Sequence, residues 1–213
     1  MLDCIGHAAR AGVDFIQLRE KDLPSRALEQ LARRATEMVE AARQQHGSAT
    51  KLLINSRVDV AIACGADGVH LRSAASGEIS AADARAIFDS AGVARLIIAV
   101  SCHTEREVRL AESEGADFAV FGPVFEKDGM PAMGLSELAR IARRQAASVP
   151  MPVLALGGVN LVNTRECVEG GAAGVAGIRL FQQGDVEETI SRLRTIQAIH
   201  HRDTETQRRN FDY

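Results

Sequence analysis

The segment that offers chemistry most directly runs from Val13 to Lys21 and reads VDFIQLREK. An apolar run passes into Gln17, Arg19 and Lys21, which stand at alternate positions. Side chains alternate between the two sides of a strand, so this spacing predicts that all three project from one face of one strand end. An amide, a guanidinium and an ammonium group together suit phosphate or diphosphate, because Arg offers paired planar donors and Lys a compact charge. A strand that simply ends in polar loop residues would give the same pattern.

The elements that must position these side chains follow a repeat of about 50 residues. Four helix-like stretches end in glycine, followed by Ala or Val and then an apolar strand, at Gly12, Gly65, Gly115 and Gly171. Glycine is favoured just beyond a helix end because it adopts the left-handed conformation. A period of this length holds two βα units, so four periods in 213 residues predict an α/β protein of the (βα)8 TIM-barrel fold.

Seven strands can be assigned against eight helical stretches, and the missing strand is the first. After the strand that precedes Lys21, short apolar segments typical of buried parallel strands lie at 51–55, 68–71, 96–101, 118–122, 153–157 and 174–178. The helical patterns lie at 2–11, 24–46, 57–64, 80–91, 104–114, 135–148, 161–170 and 185–199. Because the sequence opens in a helix, we hypothesise that the natural chain starts upstream, which an intact mass beginning at Met1 would contradict. We expect one domain over residues 1–199 and a polar, disordered tail over 200–213.

The composition is that of a globular enzyme domain and disfavours several other classes. With 46% hydrophobic and 25% charged residues, a chain of this length can bury a proper core. A net charge of −3, seven Phe, one Tyr and no Trp argue against nucleic-acid binding. No apolar run reaches the ~20 residues that span a bilayer. The four scattered cysteines indicate small buried residues in a reducing cytoplasm. Homo-oligomer formation is left open.

In a (βα)8 barrel, chemistry takes place at the carboxyl ends of the strands. The loops after the last two strands commonly bind phosphate through backbone N–H groups, and here they contain Gly157-Gly158 and Gly177-Ile178-Arg179. The residues at all strand ends are rich in phosphate donors and poor in acids: Gln17, Arg19, Lys21, Asn55, Ser56, Arg57, His70, Arg72, Ser101, His103, Gly122, Glu126, Lys127, Gly157, Gly158, Asn160, Gly177, Ile178 and Arg179.

Six sequence blocks, in order along one predicted barrel, resemble a known family. They are QLREK at 17–21, LINSRVDVA at 53–61, GVHL at 68–71, VSCH at 100–103, FGPVF at 121–125 and ALGGV at 155–159. Together they look like the thiamine phosphate synthase and TenI superfamily, over about residues 5–182.

The resemblance implies a transferase of thiamine biosynthesis. Such synthases join a hydroxymethylpyrimidine diphosphate to a thiazole phosphate and expel diphosphate through a pyrimidine cation, with Mg2+ bridging the diphosphate and protein carboxylates. Matching positions imply that Gln17, Arg19, Lys21 and Asn55 bind the diphosphate, with Arg72 and Lys127 as additional candidates. Ser101 would lie near the pyrimidine, and Arg19, Lys21 and Ser101 would carry the catalysis. Gly158, Gly177, Ile178 and Arg179 would hold the thiazole phosphate. The partners are then small phosphorylated molecules.

Three departures from the synthase pattern keep other functions open. Ser56 stands where the synthases carry one metal-binding acid, and the segment Arg72-Ser73-Ala74-Ala75 stands in place of the second. No residue is therefore assigned as a metal ligand, and Mg2+ is expected to bind mainly through the substrate diphosphate. Arg72 could supply the positive charge that a metal ion would provide, and Lys127 lies in a loop that differs from the synthase pattern, where it would contact phosphate or solvent.

A TenI-like thiazole tautomerase is one alternative function, although Pro123 occupies the position of its acid–base histidine, which leaves His70 or His103. The other is a non-catalytic binder of a phosphorylated thiamine precursor. Another phosphate-binding barrel, such as an epimerase, would need carboxylates at strand ends, where only Glu20 and Glu126 are near.

Overall fold

A computed structural model describes residues 1–73, 76–93, 96–126, 129, 131–143 and 151–211, without the side chains of 201–211. The chain divides into two compact units, Met1–Val120 and Phe121–Tyr213. Each unit alternates strands with helices, as the sequence predicts. No helix among the residues described is both long and apolar enough to cross a membrane.

Unit 1 is built from parallel strands that follow one another in chain order. Its elements are α1 (Leu2–Ala11), β1 (Phe15–Leu18), α2 (Ser25–His46), β2 (Lys51–Asn55), α3 (Val58–Cys64), β3 (Gly68–Leu71), α4 (Ala81–Ser90), β4 (Ile97–Cys102), α5 (Glu105–Ser113) and β5 (Phe118–Phe121), whose last residue opens unit 2. Leu18 is paired with Ile54 and Asn55 with His70 in the parallel register. The carboxyl ends of β1, β2 and β3 therefore lie along one edge.

Unit 2 continues the alternation with shorter strands. Its elements are α6 (Leu135–Ala142), β6 (Val153–Leu156), α7 (Thr164–Glu169), β7 (Gly174–Ala176), α8 (Arg179–Gln182) and α9 (Val186–Phe211). Strands β6 and β7 are parallel, with Leu154 opposite Gly174. The one-turn helix α8 was not expected from the sequence. The backbone of α9 continues to Phe211. It therefore covers most of the segment 200–213, which we expected to be disordered. Disorder of this segment in solution stays a prediction.

The predicted fold class is confirmed: seven parallel strands alternate with helices in the order of a (βα)8 barrel that lacks its first strand. One detail was wrong. We expected the first strand to carry Arg19 and Lys21, but β1 ends at Leu18, so that only Gln17 of the three lies on a strand. Pairing stops there because β2 ends at Asn55, immediately before Ser56 turns the chain with a left-handed φ of 56°.

The repeated Gly-Ala-Asp sequence has a structural role at the amino ends of the strands. Gly65 and Gly115 adopt positive φ values of 67° and 81°, as expected at helix ends. In the first of these repeats, Asp67 Oδ2 accepts hydrogen bonds from the backbone N–H of Leu52 at 2.8 Å and from Arg43 Nη2 at 2.5 Å. The carboxylate thus ties α2 to the start of β2.

Unit 1 is held together by an apolar core and well-formed helix ends. Leu52, Ile54, Val69 and Ile98 on the strands are fully buried. A capping box of Thr104 and Glu107 is present at the start of α5. Three of the four cysteines, Cys64, Cys102 and Cys167, are buried as expected, whereas Cys4 is exposed on α1, contrary to expectation.

Candidate active site

The carboxyl ends of β1 and β2 bring two predicted phosphate ligands into contact. Gln17 Nε2 donates a hydrogen bond to Asn55 Oδ1 over 2.9 Å. This contact follows from the parallel register, which places Gln17 opposite Leu53 and therefore two residues before Asn55 along the neighbouring strand. The Asn55 amide nitrogen remains as a donor, because Asn55 accepts from Gln17 through its oxygen.

Two cations follow directly in the loop after β1. Arg19 and Lys21 are both exposed, and neither makes a salt bridge to any residue that the structure describes. Arg43, Arg57, Arg72 and Arg85, in contrast, each have an acidic partner. Two unpaired cations beside the Gln17–Asn55 pair form a place where an anion gains attraction without first displacing a carboxylate.

His70 and Ser101 form a second polar pair, on β3 and β4. His70 Nε2 and Ser101 Oγ lie 2.9 Å apart. Burial of the imidazole, together with the positive charge of Arg19, lowers the pKa of His70 from 6.5 to about 4. His70 is therefore neutral near pH 7, and one ring nitrogen is free to share a hydrogen bond with the Ser101 hydroxyl.

A third cluster, which the sequence did not reveal, is centred on Glu78. Ser56 Oγ donates to Glu78 Oε2 at 3.1 Å, and Arg72 Nη1 donates to Glu78 Oε1 at 2.8 Å. Ser56 stands in place of one expected metal-binding acid, and Arg72 opens the segment that stands in place of the second. The two side chains share one carboxylate. Ser56 is also the one described non-glycine residue with a positive φ, a conformation that proteins tend to retain at functional positions.

The donor set in this part of unit 1 does not fit a protein-held Mg2+ ion. Mg2+ prefers oxygen ligands and usually takes one or two carboxylates besides substrate phosphate. No group of three or more His, Cys, Asp or Glu residues that could hold a metal occurs among the described residues. Glu78 contacts both Ser56 and Arg72, and the Arg72 guanidinium is paired with its carboxylate. This observation does not bear on Mg2+ that is bound only by the diphosphate of the substrate.

An open cavity of about 630 Å³ lies beside the same cluster. Its lining residues are Ser56, Arg57, Val58, Asp59, Ile62, Glu78, Ile79 and Ile87. Arg19, His70 and Ser101 do not line it, so this cavity is on the α3 and α4 side of the cluster and is not the predicted diphosphate site. It leaves Glu78 open space on one side.

In unit 2, the Gly157-Gly158 loop is shaped by close packing. Both glycines adopt positive φ, 91° and 65°. A Cβ atom on Gly158 would lie 2.6 Å from Phe125 Cβ, and one on Gly157 would lie 2.5 Å from Pro123 Cα. Asn163 Nδ2 also donates to the Gly158 carbonyl oxygen at 3.0 Å. Packing therefore already requires glycine here, and thiazole phosphate binding by Gly158 stays a prediction.

The other predicted thiazole phosphate residues follow β7. Gly177 precedes Ile178, whose side chain is 60% exposed, and Arg179 opens the four-residue helix α8. Backbone N–H groups at a strand end suit anion binding, and binding of the thiazole phosphate by these residues stays a prediction. Lys127, the remaining predicted phosphate ligand, lies outside the described residues.

The fold and these polar clusters define a class: an α/β-barrel enzyme with cations and amides at the carboxyl ends of its strands. Comparison with known proteins makes the class specific. The family model described as thiamine monophosphate synthase matches residues 1–181. The chain belongs to this family.

Individual relatives agree with the family model. The thiamine-phosphate synthase of Roseiflexus castenholzii is 37% identical over 180 residues, which cover 83% of this chain and 72% of that protein. That of Lysinibacillus sphaericus is 32% identical over 200 residues, covering 90% and 86%. The solved thiamine phosphate pyrophosphorylase from Pyrococcus furiosus superposes with a TM-score of 0.75 at 30% identity, covering 93% of this chain and 90% of that one.

Sequence reasoning placed most of these residues at strand ends but missed their partners. Glu78 lies seven residues beyond the end of β3, in a loop without periodicity, so no pattern indicated it. The only signal in the sequence was that Glu78 is an acid in the loop after β3, where the expected metal-binding acid is missing. The His70–Ser101 contact was missed because it depends on the register of β3 against β4, in which His70 lies opposite Ala99.

Proposed function

We propose that this chain is a thiamine phosphate synthase, which transfers a pyrimidinylmethyl group from a pyrimidine methyl diphosphate to a thiazole phosphate. The bond between the methylene carbon and the diphosphate oxygen breaks, the electron pair leaves with diphosphate, and the carbon bonds to the thiazole. The observation that carries this proposal is a pair of cations, Arg19 and Lys21, that follow the Gln17–Asn55 amides and have no acidic partner among the described residues. Membership of the thiamine monophosphate synthase family supports it.

The proposed catalysis is electrostatic. Negative charge concentrates on the diphosphate as its bond to carbon breaks, so fixed cations stabilise the transition state more than the bound substrate. Arg19 and Lys21 supply that charge, and Gln17 and Asn55 orient the diphosphate oxygens. Ser101 would contact the pyrimidine, with its hydroxyl oriented by His70. No nucleophilic side chain is needed.

A thiazole tautomerase is the second candidate, since it requires only an acid–base group near the thiazole. His70 is the buried imidazole at a strand end, but a group whose pKa is about 4 is a weak base near neutral pH. Pro123 cannot transfer a proton. The arrangement in unit 1 therefore favours the synthase.

Product analysis separates the candidates. Purified protein is incubated with the pyrimidine diphosphate and the thiazole phosphate, with and without Mg2+, and thiamine phosphate is measured by fluorescence after oxidation. We expect product. If both substrates bind and no thiamine phosphate forms, the protein is a binder or, where the thiazole tautomer is converted, a tautomerase.

A further inference from the structure

Arg72 differs from the other candidate phosphate ligands because a single carboxylate holds it. Its guanidinium lies 2.8 Å from Glu78 Oε1, and no other partner in the described part of the chain is within ion-pair distance of it. The Arg72 side chain is 60% exposed and that of Glu78 is 36% exposed. Exposed ion pairs of this kind contribute little net free energy, because water and ions solvate both charges well.

Glu78 has a second tether that does not depend on Arg72. The Ser56 hydroxyl donates to the other carboxylate oxygen, and Ser56 is fixed by its backbone N–H, which donates to the His70 carbonyl oxygen at 3.0 Å. The carboxylate therefore stays in place when Arg72 moves away. Each Glu78 oxygen accepts one described hydrogen bond, and a guanidinium at 2.8 Å repels a divalent cation.

We propose that Arg72 is an exchangeable cation that binds the diphosphate without a protein-held metal ion, and that Glu78 holds it until the diphosphate arrives. Ser56 and Arg72 would thus form the two ends of a switch with Glu78 at its centre. This inference rests on the proposed function in one respect: the diphosphate is the leaving group of the proposed substrate. Binding of inorganic diphosphate does not depend on turnover.

The exchange is favourable on charge. A diphosphate carries several negative charges and oxygen pairs that match the planar guanidinium fork, whereas Glu78 offers one charge. Arg72 follows directly after Leu71, which is paired with Val100 on β4, so that Arg72 leaves β3 at the edge where Asn55 and Ser101 also lie. Arg19 and Lys21 follow β1, which is two strands away from β3 in the same sheet, and in this proposal they bind the same anion as Arg72.

The neighbouring loop supplies matched controls. Arg57, after β2, is bound by both oxygens of Asp59, at 2.9 Å and 2.6 Å. The Arg57–Asp59 pair has the same charges as the Arg72–Glu78 pair, and both pairs are at least one-third exposed, although the acid is the more exposed partner in the first and the arginine in the second. Arg57 is one of the residues at the strand ends, but it is not assigned to the diphosphate or the thiazole phosphate. Removal of either partner there changes the net charge of unit 1 by the same amount as the corresponding change at Arg72 or Glu78.

Titration calorimetry with inorganic diphosphate, in EDTA and then with added Mg2+, tests the proposal. The wild type should bind in EDTA, and Mg2+ should leave the affinity unchanged or lower it by competing for diphosphate. We expect Arg72→Ala to weaken binding about tenfold or more, and Glu78→Gln to tighten it about two- to fivefold by removing the competing carboxylate. Arg57→Ala and Asp59→Asn should each change the affinity by less than about twofold.

The opposite results would overturn the inference. Diphosphate binding that requires Mg2+ and is lost in Glu78→Gln would make Glu78 a metal ligand, and an Arg72→Ala variant that binds like Arg57→Ala would remove Arg72 from the site. Circular dichroism melting of each variant checks that it is folded, and Arg72→Lys, which keeps the charge, should retain part of the affinity. Failure of the proposed function looks different, because diphosphate then binds as expected while no thiamine phosphate forms.

Discussion

The side chains of His70 and Ser101 lie 2.9 Å apart, between Nε2 and Oγ, at the carboxyl ends of adjacent parallel strands. The imidazole is buried and its pKa is lowered to about 4, first by burial and then by the charge of Arg19. A neutral imidazole holds the hydroxyl in one direction, and Arg19 lies near enough to influence that imidazole. The pair therefore connects the predicted pyrimidine contact to the predicted diphosphate contact.

The first prediction concerns stability at low pH. A histidine whose pKa is lower in the folded than in the unfolded state stabilises the fold fully above the unfolded value of 6.5, and this contribution is lost as the pH falls towards 4. The wild type should therefore lose about 3 kcal/mol of unfolding free energy over this interval relative to His70→Gln. Urea unfolding at several pH values measures the difference. His7→Gln, at an exposed histidine, should retain the wild-type slope.

The second prediction concerns the orientation of Ser101. Ser101→Ala should lower kcat/KM by about tenfold or more, because the contact to the pyrimidine is lost. His70→Gln should lower it less, because the amide can still bond to the hydroxyl. We expect the wild type to be fastest, His70→Gln to be slower and Ser101→Ala to be slowest. Equal activity of Ser101→Ala and wild type would remove this hydroxyl from the site.

The third prediction concerns Arg19, the first of the two cations in the loop after β1. Arg19→Ala should weaken diphosphate binding by about 2–5 kcal/mol, the cost of removing one partner from a desolvated charge pair. Arg10→Ala removes the same charge from the last turn of α1, before β1 begins, and should leave the affinity nearly unchanged. Calorimetry on both variants gives the comparison. Equal losses in the two variants would indicate a general charge effect rather than a site.

The fourth prediction separates close packing from backbone strain at Gly158. Gly158→Ala places a Cβ atom 2.6 Å from Phe125 Cβ, in a residue with φ of 65°. Gly47 has the same φ but open space around its Cβ position. We expect Gly47→Ala to cost about 1 kcal/mol of unfolding free energy, and Gly158→Ala about 1–3 kcal/mol more. Thermal melting of both variants tests this, and equal destabilisation would contradict the packing argument.

The fifth prediction concerns Asp67, which joins α2 to β2. Asp67→Ala leaves the partly buried Leu52 N–H without its partner and takes one carboxylate from Arg43, which keeps Glu40 and the Thr50 carbonyl oxygen, and should cost about 1–3 kcal/mol of unfolding free energy. Glu29→Ala, which breaks the exposed pair with Arg33, should cost less than about 0.5 kcal/mol. Chemical denaturation measures both. Similar small effects would show that the Asp67 network contributes little.

The sequence predicted those features that repeat or that depend on local geometry. Helix ends at Gly65 and Gly115 were predictable because the left-handed conformation strongly favours glycine. The buried strands were predictable because parallel strands covered on both faces are apolar throughout. The capping box at Thr104 was predictable because its two partners are three residues apart.

Features that depend on register or loop conformation were not predictable. The end of β1 was placed three residues too late, because pairing ends where Ser56 turns β2 away and not where the apolar pattern ends. The link from Ser56 through Glu78 to Arg72 joins residues 22 and six positions apart in two loops. Single-sequence periodicity carries no information about such contacts.

The most direct test of the account measures thiamine phosphate and released diphosphate together, in the wild type and in Arg19→Ala, with Arg10→Ala as the control. We predict equal amounts of the two products in the wild type and in Arg10→Ala, and a loss of both in Arg19→Ala. Formation of thiamine phosphate by Arg19→Ala at the wild-type rate would contradict the assignment of the diphosphate site to the loop after β1.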